Sequence, residues 1–265
     1  KNTEIAASCY LQVAKIQFEK FSKLDDAIST LEQLQKIVPP TSQLRIDGKL
    51  LSAEIFTQLG DTSKSSEMYR SIIDEKRILT SQKELASFRL AEILYFNGNF
   101  TEATKMLDGL TKILTTDIAN DALTLSLFIT ANQGKEEFVL KKFAAADFLV
   151  RQKKYDEAIA AFQNIVKNSP TSELADDAYI HVGTTQNTRK QFDEAIATFQ
   201  KMITDFPESM QRDVALIHIA TIYENGLHQI PKAIETYEKL LEDFPLSLYA
   251  NEARKRIRTL RGDTL

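Results

Sequence analysis

Hydrophobic residues along this chain recur at intervals of three and four positions. The series Ile159, Phe162, Ile165 and Val166 is one example. This spacing places apolar side chains on one face of an α-helix. Only eight glycines and six prolines interrupt 265 residues, so little of the chain is left for long loops. The pattern therefore predicts an all-α fold built from amphipathic helices.

The apolar pattern itself repeats. The segment RQKKYDEAIAAFQNIVKNSP (151–170) returns 37 residues later as TRKQFDEAIATFQKMITDFP (188–207). A small residue marks each copy of the pattern: Ala27, Ser65, Ala103, Ala158, Ala195 and Ala233. The steps between these markers are 38, 38, 55, 37 and 38 residues. A fixed period of this length is typical of helical repeats that stack on one another.

Turn residues divide each repeat into two helices. Glycines 60, 98 and 226 lie midway through repeats, where a helix ends, and prolines 39, 170, 207 and 245 close the second helices. The step of 55 exceeds the others by about one helix and its turn, so we expect an irregular extra helix near 118–131. The sequence predicts about 14 helices: N-terminal repeats over 1–117, the extra segment 118–134, C-terminal repeats over 135–245, and a capping helix over 246–265.

The residues of one repeat match a known family pattern. Large, small and aromatic positions follow each other in the order Tyr179, Val182, Gly183, Gln186, Ala195, Phe199 and Pro207. In this the chain resembles the tetratricopeptide repeat (TPR) family, although it has no tryptophan and its period exceeds 34 residues. The junction DFPLSLYANEARKRI (243–257) is similar to those of TPR proteins of bacterial cell envelopes. The resemblance implies a right-handed α-α superhelical solenoid, and a non-catalytic scaffold that binds a peptide or protein segment in its concave groove.

The ligand-facing positions of the TPR family carry over to three sets of residues in the first helices of the repeats. The first set is Leu50, Phe88, Phe143, Ile180 and Ile217. The second is Glu54, Glu92, Asp147, Thr184 and Thr221. The third includes Tyr95, Val150, Asn187 and Glu224. An apolar stripe with an acidic flank suits a hydrophobic or basic partner segment. The basic residues with which TPR domains hold a C-terminal carboxylate are absent. The alternative is that Phe88 and Phe143 only pack between neighbouring repeats.

The C-terminal segment concentrates positive charge on Arg254, Lys255 and Arg258. Such a surface is expected of the polar end cap that a solenoid needs, and it is also compatible with docking to an acidic partner or to anionic headgroups. A second function therefore stays open: a structural or assembly component of a bacterial envelope complex that uses the convex face or the ends of the solenoid. A homo-oligomer is compatible with either function.

Composition and motifs exclude further classes of function. The formal net charge of −4 argues against nucleic-acid binding, and the single cysteine, Cys9, excludes an internal disulfide. No apolar run approaches the length of a membrane span. His181 and His218 recur in consecutive repeats, but two histidines alone do not predict a metal site. No catalytic or cofactor-binding motif is present, so we expect no enzyme and no cofactor. The chain begins at Lys1 without a signal-peptide core, which predicts a processed or excised chain whose targeting segment is missing. The resemblance to TPR proteins of bacterial envelopes favours the periplasm or envelope over the cytoplasm.

Overall fold

The computed structural model describes residues 2–112 and 116–263. These residues form helices and no strand, as the sequence predicts. The helices are α1 (Asn2–Glu19), α2 (Leu24–Ile37), α3 (Gln43–Leu59), α4 (Thr62–Ile73), α5 (Thr80–Phe96), α6 (Phe100–Leu110), α7 (Asp117–Asn132), α8 (Glu137–Arg151), α9 (Tyr155–Asn168), α10 (Ala175–Thr188), α11 (Phe192–Asp205), α12 (Arg212–Thr221), α13 (Ile230–Asp243) and α14 (Ala250–Arg261). A π-helical turn, Ile222–Gly226, continues α12.

The chain divides into two compact units. Unit 1 comprises Lys1–Gln133 with the short stretch Arg151–Lys153, and unit 2 comprises Gly134–Val150 and Lys154–Leu265. In unit 1 the pairs α1/α2, α3/α4 and α5/α6 stack in sequence, and α7 packs against α6. In unit 2 the pairs are α8/α9, α10/α11 and α12/α13, followed by α14. The predicted fold class, an all-helical repeat solenoid, is therefore confirmed.

The small marker residues lie where the two helices of a pair cross. All six markers, from Ala27 to Ala233, are fully buried. In the pair α10/α11 a Cβ added at Gly183 would lie 2.6 Å from the ring of Phe199. A real Cβ does not tolerate that distance, so glycine is required for the helices to approach this closely. The repeated small–aromatic pattern thus sets the helix spacing.

Each pair also repeats the same turn. In the turn after the first helix one residue has a positive φ: Ser22 (51°), Gly60 (89°), Gly98 (76°), Lys153 (59°), Lys190 (62°) and His228 (54°). Glycine adopts this left-handed conformation without strain, whereas side chains with a Cβ rarely do. The chain therefore uses glycine at two of these turns and accepts a modest cost at the others.

The junctions that follow each pair of unit 2 carry a side-chain link. A serine two residues after a proline donates its hydroxyl to a carboxylate at the start of the same pair: Ser172 to Glu136, Ser209 to Asp176 and Ser247 to Asp213. Each of these oxygens also accepts the backbone N–H two residues further on. The link satisfies polar groups that the end of a helix leaves without partners. This is the physical role of the P-x-S junction seen in the sequence.

Candidate functional site

The first set of predicted groove positions lies inside the helix stack. None of its five members exposes more than 9% of its surface: Leu50, Phe88, Phe143, Ile180 and Ile217. The ring of Phe143 lies 5.1 Å from that of Phe162 and 4.8 Å from that of His181, centroid to centroid. These contacts are the ones that the packing alternative requires. Contact of these side chains with a ligand stays a prediction.

The second set forms the accessible part of the predicted surface. Its members are all partly exposed: Glu54, Glu92, Asp147, Thr184 and Thr221. The third set is divided, because Tyr95 and Glu224 are buried while Val150 and Asn187 are partly exposed. A ligand on the first helices of the repeats would therefore meet carboxylates, hydroxyls and an amide more than apolar side chains.

In unit 1 the predicted positions Leu50 and Glu54 line one cavity. Its volume is about 350 Å³, and it lies against α1, α3, α4 and α5. Its walls are Lys15, Phe18, Glu19, Asp47, Leu50, Leu51, Glu54, Tyr69, Leu85 and Arg89. Charges of both signs line it, so it does not favour a strongly charged ligand of either sign.

The carboxylates of this cavity are held by arginine. Arg89 places Nη1 2.6 Å from an oxygen of Glu92 and Nε 3.7 Å from an oxygen of Glu54. Arg151, which belongs to the same unit, approaches Glu54 to 2.6 Å. Burial alone would lower the pKa of Arg89, but Glu92 and Glu54 raise it, so the guanidinium stays charged. The predicted acidic flank is therefore locally neutralised in unit 1.

Unit 2 contains a different cluster on its first helices. Asp147 of α8 lies 3.0 Å from Nδ1 of His181 on α10, and Asp177 lies one turn before that histidine. Asp177 accepts a hydrogen bond of 2.7 Å from the amide of Gln211 at the start of α12. The three ionisable side chains lie beside the predicted positions Thr184 and Asn187 of α10. The cluster thus adds His181 and Asp177 to the predicted surface.

Burial and charge set the protonation of this cluster. Burial raises the pKa of Asp177 to about 6, and the neighbouring Asp176 raises it further, while His181 opposes the shift. Burial would lower the pKa of His181, but the charge of Asp147 and the hydrogen bond to it raise the pKa above its usual value. Asp177 therefore changes charge near pH 6, while the pair with Asp147 favours the charged form of His181. Perturbed pKa values of this kind are common at functional sites.

The second histidine has a separate environment. His218 stacks on Phe199 with 5.1 Å between ring centroids and 8° between planes, and burial lowers its pKa. In residues 2–112 and 116–263 no group of three or more His, Cys, Asp and Glu side chains is arranged to hold a metal ion. The histidines of consecutive repeats are therefore packed against aromatic rings, His181 against Phe143 and Phe162 and His218 against Phe199.

One predicted groove residue has a structural role that the sequence did not indicate. Glu224 lies in the π-helical turn, where its carboxylate accepts a hydrogen bond of 2.8 Å from Tyr237 and pairs with Arg256 of α14. Glu224 is buried, as is Tyr95 at the equivalent position of α5. The buried pair fastens the last helix to the pair before it.

The predicted basic cap residues are exposed. Arg254 donates to the side chain of Asn251, while Lys255 and Arg258 extend from the same helix, α14. With the 38-residue step that relates Ser247 to Ser209, Lys255 takes the place that the buried Ile217 holds in α12. Charge therefore replaces apolar surface at this end of unit 2.

Sequence reasoning missed the roles of Arg89 and His181, although a signal was present. Each directly follows a member of the first predicted set, Phe88 and Ile180, so the two residues occupy equivalent positions in their repeats. Asp177 and His181 are also four residues apart on one helix, a spacing that places them on one face. Their meeting with Asp147 needed the stacking of α8 on α10.

A repeat architecture with a charged first-helix surface defines the class of helical-repeat interaction scaffolds, and protein families of this kind are generally non-catalytic. Residues 135–264 match the family described as "YfiO: Outer membrane lipoprotein". The predicted resemblance to TPR proteins of bacterial envelopes is thus confirmed, with the family match covering that part of the chain. In the described residues no helix is both long and apolar enough to cross a membrane.

Solved structures of repeat proteins also resemble this chain. The TPR2AB domain of yeast Sti1 in its pHSP90 complex is 16% identical, with a TM-score of 0.39 and coverage of 96% of this chain and 98% of that one. Pseudomonas aeruginosa pilF is 14% identical (TM-score 0.36, 99% and 99% covered). A tetratricopeptide repeat protein from Parabacteroides merdae is 14% identical (TM-score 0.37, 96% and 84% covered). None of the curated proteins matches the sequence. Similarities this distant carry no functional conclusion.

Proposed function

We propose that the chain is a protein-interaction scaffold whose first-helix surface in unit 2 binds a basic segment of a partner protein. The observation that carries this proposal is the cluster of Asp147, Asp177 and His181 beside the partly exposed Thr184 and Asn187. At pH 8 Asp177, whose pKa is about 6, is ionised, so the cluster attracts lysine and arginine. The threonine and amide groups add hydrogen-bonding partners for an extended backbone.

The pH dependence of binding is the direct test. A lysine-rich peptide of about 12 residues, in which every third residue is apolar, serves as the probe in calorimetric titration. Raising the pH from 5 to 8 ionises Asp177, whose pKa is about 6. We expect the affinity to rise about tenfold, which corresponds to about 1.4 kcal/mol. An affinity that is flat or falls over this range contradicts the proposal.

Matched variants separate the two units. Asp177→Asn keeps the acceptor for Gln211 but removes the charge, and we expect it to weaken binding of the peptide about tenfold at pH 8. Glu92→Gln in unit 1 removes a carboxylate that is already paired with Arg89, so we expect less than a twofold change. Equal effects of both substitutions would show that binding depends on the overall negative charge of the chain and not on this cluster.

A second function, assembly within a bacterial envelope complex, is supported by a different observation. Three apolar side chains at the junctions of unit 2 are almost completely exposed: Met210 (94%), Leu246 (96%) and Leu248 (95%). Their residues fall within the stretch that is similar to outer membrane lipoproteins. Exposed apolar surface of this kind marks contact sites. Fractionation of the source cells tests it: we expect the protein with the envelope and, after Leu246→Ser and Leu248→Ser together, its release. A protein found with the cytosol would exclude this function.

A further inference from the structure

Two cavities of unit 2 lie between its second helices, α9, α11 and α13. The first is bounded by α9, α10 and α11 and has a volume of about 440 Å³. The second is bounded by α11, α12 and α13 and has a volume of about 420 Å³. Both have an aliphatic residue and a lysine at equivalent positions of the repeat, Val166 and Lys201 in the first and Ile203 and Lys239 in the second. Volumes of this size are typical of sites for small molecules.

The first cavity lies on the side of α10 that the proposed function does not use. On this helix it is lined by Tyr179 and Val182, both of which are buried. Asp177, His181 and Thr184 each lie two residues from one of them, which is about 200° around an α-helix. An inference about the cavity is therefore independent of the peptide binding proposed above.

Apolar surface and positive charge are combined in this cavity. Val166 and Val182 provide apolar surface. Lys167 of α9 and Lys201 of α11 bring positive charge from both sides, and none of the described residues that line the cavity is a carboxylate. Lys201 also pairs with the exposed Asp205 at 2.8 Å, but an exposed ion pair is weak in water, so the lysine is available to a ligand. The lining therefore suits an organic anion with an apolar body.

Unit 1 has larger apolar side chains at one equivalent position. Where a second helix follows another within a unit, the third residue after the buried marker is Thr198 in α11 and Thr236 in α13, but Met68 in α4 and Met106 in α6. Both methionines pack against the core of unit 1. Threonine is shorter, and the hydroxyl of Thr198 donates a hydrogen bond of 2.7 Å to the side chain of Gln186. The cavity of unit 2 therefore depends on this residue and is not required by the repeat.

The lysines follow the same division between the units. The sixth residue after the marker is Lys201 in α11 and Lys239 in α13, but Ser71 in α4 and Gly109 in α6. Helices of this kind therefore form and pack without a lysine at this position. The cavity and its cation occur together in unit 2 and are replaced together in unit 1. This correlation is expected of a binding site and not of helix packing alone.

We propose that the first cavity binds a medium-chain aliphatic carboxylic acid in its ionised form. The carboxylate lies between Lys167 and Lys201, where the amide of Gln163 donates a further hydrogen bond. The alkyl chain lies on Val166 and Val182. Lysine keeps its ammonium group in water and its methylene groups on apolar surface, so the carboxylate stays near solvent while the chain is buried.

The second cavity provides a comparison within the same chain. It also contains lysines, Lys232 and Lys239, but Glu235 stands where the first cavity has Ala197. A glutamate carboxylate repels the carboxylate of a ligand. We therefore expect the first cavity to bind the acid more tightly than the second.

Titration of the full chain with octanoate tests the site directly. In amide proton–nitrogen correlation spectra we expect the signals of Ala197 and Thr198 to shift with a dissociation constant of about 0.1–1 mM, a range suited to a ligand of about ten atoms. Octanol has the chain without the charge, and acetate has the charge without the chain, so each should bind about tenfold more weakly or worse. Binding of either compound as tight as that of octanoate would overturn the proposal.

A charge variant makes the first cavity resemble the second. Ala197→Glu introduces the residue that the second cavity has, and we expect octanoate to bind about tenfold more weakly. Glu235→Ala is the matched control, which should leave the first cavity unchanged and bring the signal of Thr236 into the titration. Both substitutions lie at exposed helix positions, so the fold should persist. Equal affinity of Ala197→Glu and the parent chain for octanoate would contradict the proposed site.

A volume variant tests the apolar part of the cavity. Thr198→Met introduces the residue that Met68 provides in unit 1, and we expect octanoate to bind about tenfold more weakly or not at all. Thr236→Met, the matched control, should leave the first cavity unchanged. Thr198→Met also removes the hydrogen bond to Gln186, so thermal unfolding checks its fold, and Ala197→Glu decides alone if it unfolds. A folded Thr198→Met chain that binds octanoate as tightly as the parent would refute the proposal.

A peptide terminus has the same chemistry as the free acid, so acetyl-leucyl-leucine is titrated in parallel. We expect it to bind more weakly than octanoate, because its peptide groups lose water against Val166 and Val182 without a hydrogen-bonding partner. Binding tighter than that of octanoate, and weakened by Ala197→Glu, would assign the cavity to a peptide terminus and overturn the free acid as its ligand.

Discussion

Units 1 and 2 are built from the same kind of repeat, but the carboxylates on their first helices are neutralised differently. Asp47 in unit 1 and Asp177 in unit 2 hold equivalent positions, and each accepts an amide hydrogen bond of 2.7 Å, from Gln82 and Gln211 respectively. A second pair of equivalent positions, directly after Phe88 of α5 and Ile180 of α10, holds Arg89 in unit 1 and His181 in unit 2. An arginine is charged at every physiological pH, whereas a histidine titrates near neutrality. The first-helix surface of unit 1 is therefore electrostatically fixed, and that of unit 2 depends on pH.

The largest expected effect concerns Glu224, a carboxylate of the predicted surface in unit 2 that is paired with an arginine. Arg256→Met leaves the buried Glu224 with Tyr237 alone, and breaking such a pair costs about 3 kcal/mol. Urea unfolding measures the loss. Arg258→Met, two residues away on the exposed side of α14, is the matched control and should change stability by less than about 0.5 kcal/mol. Equal losses would show that the buried pair has no special role.

Removing Arg89 tests the charge arrangement of unit 1, which does not depend on pH. Arg89→Met leaves the carboxylates of Glu54 and Glu92 close together without their shared cation, and we expect a loss of about 2 kcal/mol in the stability of unit 1. The double variant with Glu92→Gln should recover part of this loss, because one of the two charges is gone. A double variant as unstable as the single one would mean that Arg89 acts through packing.

Removing the charge of Asp177 tests the pH-dependent charge arrangement of unit 2. Its pKa is raised from 3.8 to about 6 in the folded chain, so the stabilisation that it contributes is complete below pH 3.8 and is lost as the pH rises through 6. We therefore expect Asp177→Asn to stabilise unit 2 by about 1–2 kcal/mol at pH 7.5 and to have little effect at pH 4. Thermal unfolding at both pH values gives the answer. A destabilised variant at pH 7.5 would contradict the assigned burial effect.

Replacing His181 by arginine gives unit 2 the cation that unit 1 has at the equivalent position. His181→Arg places a permanent charge beside Asp147, so at a pH above the raised pKa of His181 we expect the affinity for the lysine-rich peptide to fall about tenfold. The pH dependence that remains should be the part due to Asp177. The guanidinium can stack on Phe143 and Phe162 as the imidazole does, so the fold should persist. An unchanged pH profile would remove His181 from the proposed surface.

The smallest effect concerns the turns. Unit 1 uses Gly60 and Gly98 at left-handed positions where unit 2 uses Lys190 and His228. Lys190→Gly relieves the steric cost of a Cβ at φ 62°, although glycine also loses more entropy on folding. We expect a net stabilisation of about 0.5 kcal/mol in urea unfolding. A loss of more than about 1 kcal/mol would indicate that the lysine side chain itself stabilises the turn.

The sequence predicts the repeats well because their signals are local. The small markers, the three–four spacing and the prolines each act within one helix pair, and all of them correspond to features of the fold. The site is predicted less well because its charges meet across pairs. The burial of Glu224 depends on its contacts with Tyr237 of α13 and Arg256 of α14, and the approach of Asp147 to His181 depends on how α8 stacks on α10.

The serine links of unit 2 bear on how such a chain can change its length. Each link closes within one helix pair, since Ser209 returns to Asp176 at the start of α10 and Ser247 to Asp213 at the start of α12. A pair that is duplicated or deleted as a whole would therefore take its donor and its acceptor with it. Recombination in steps of 37 or 38 residues leaves no carboxylate without its hydroxyl, so unit 2 is built to gain or lose pairs as modules.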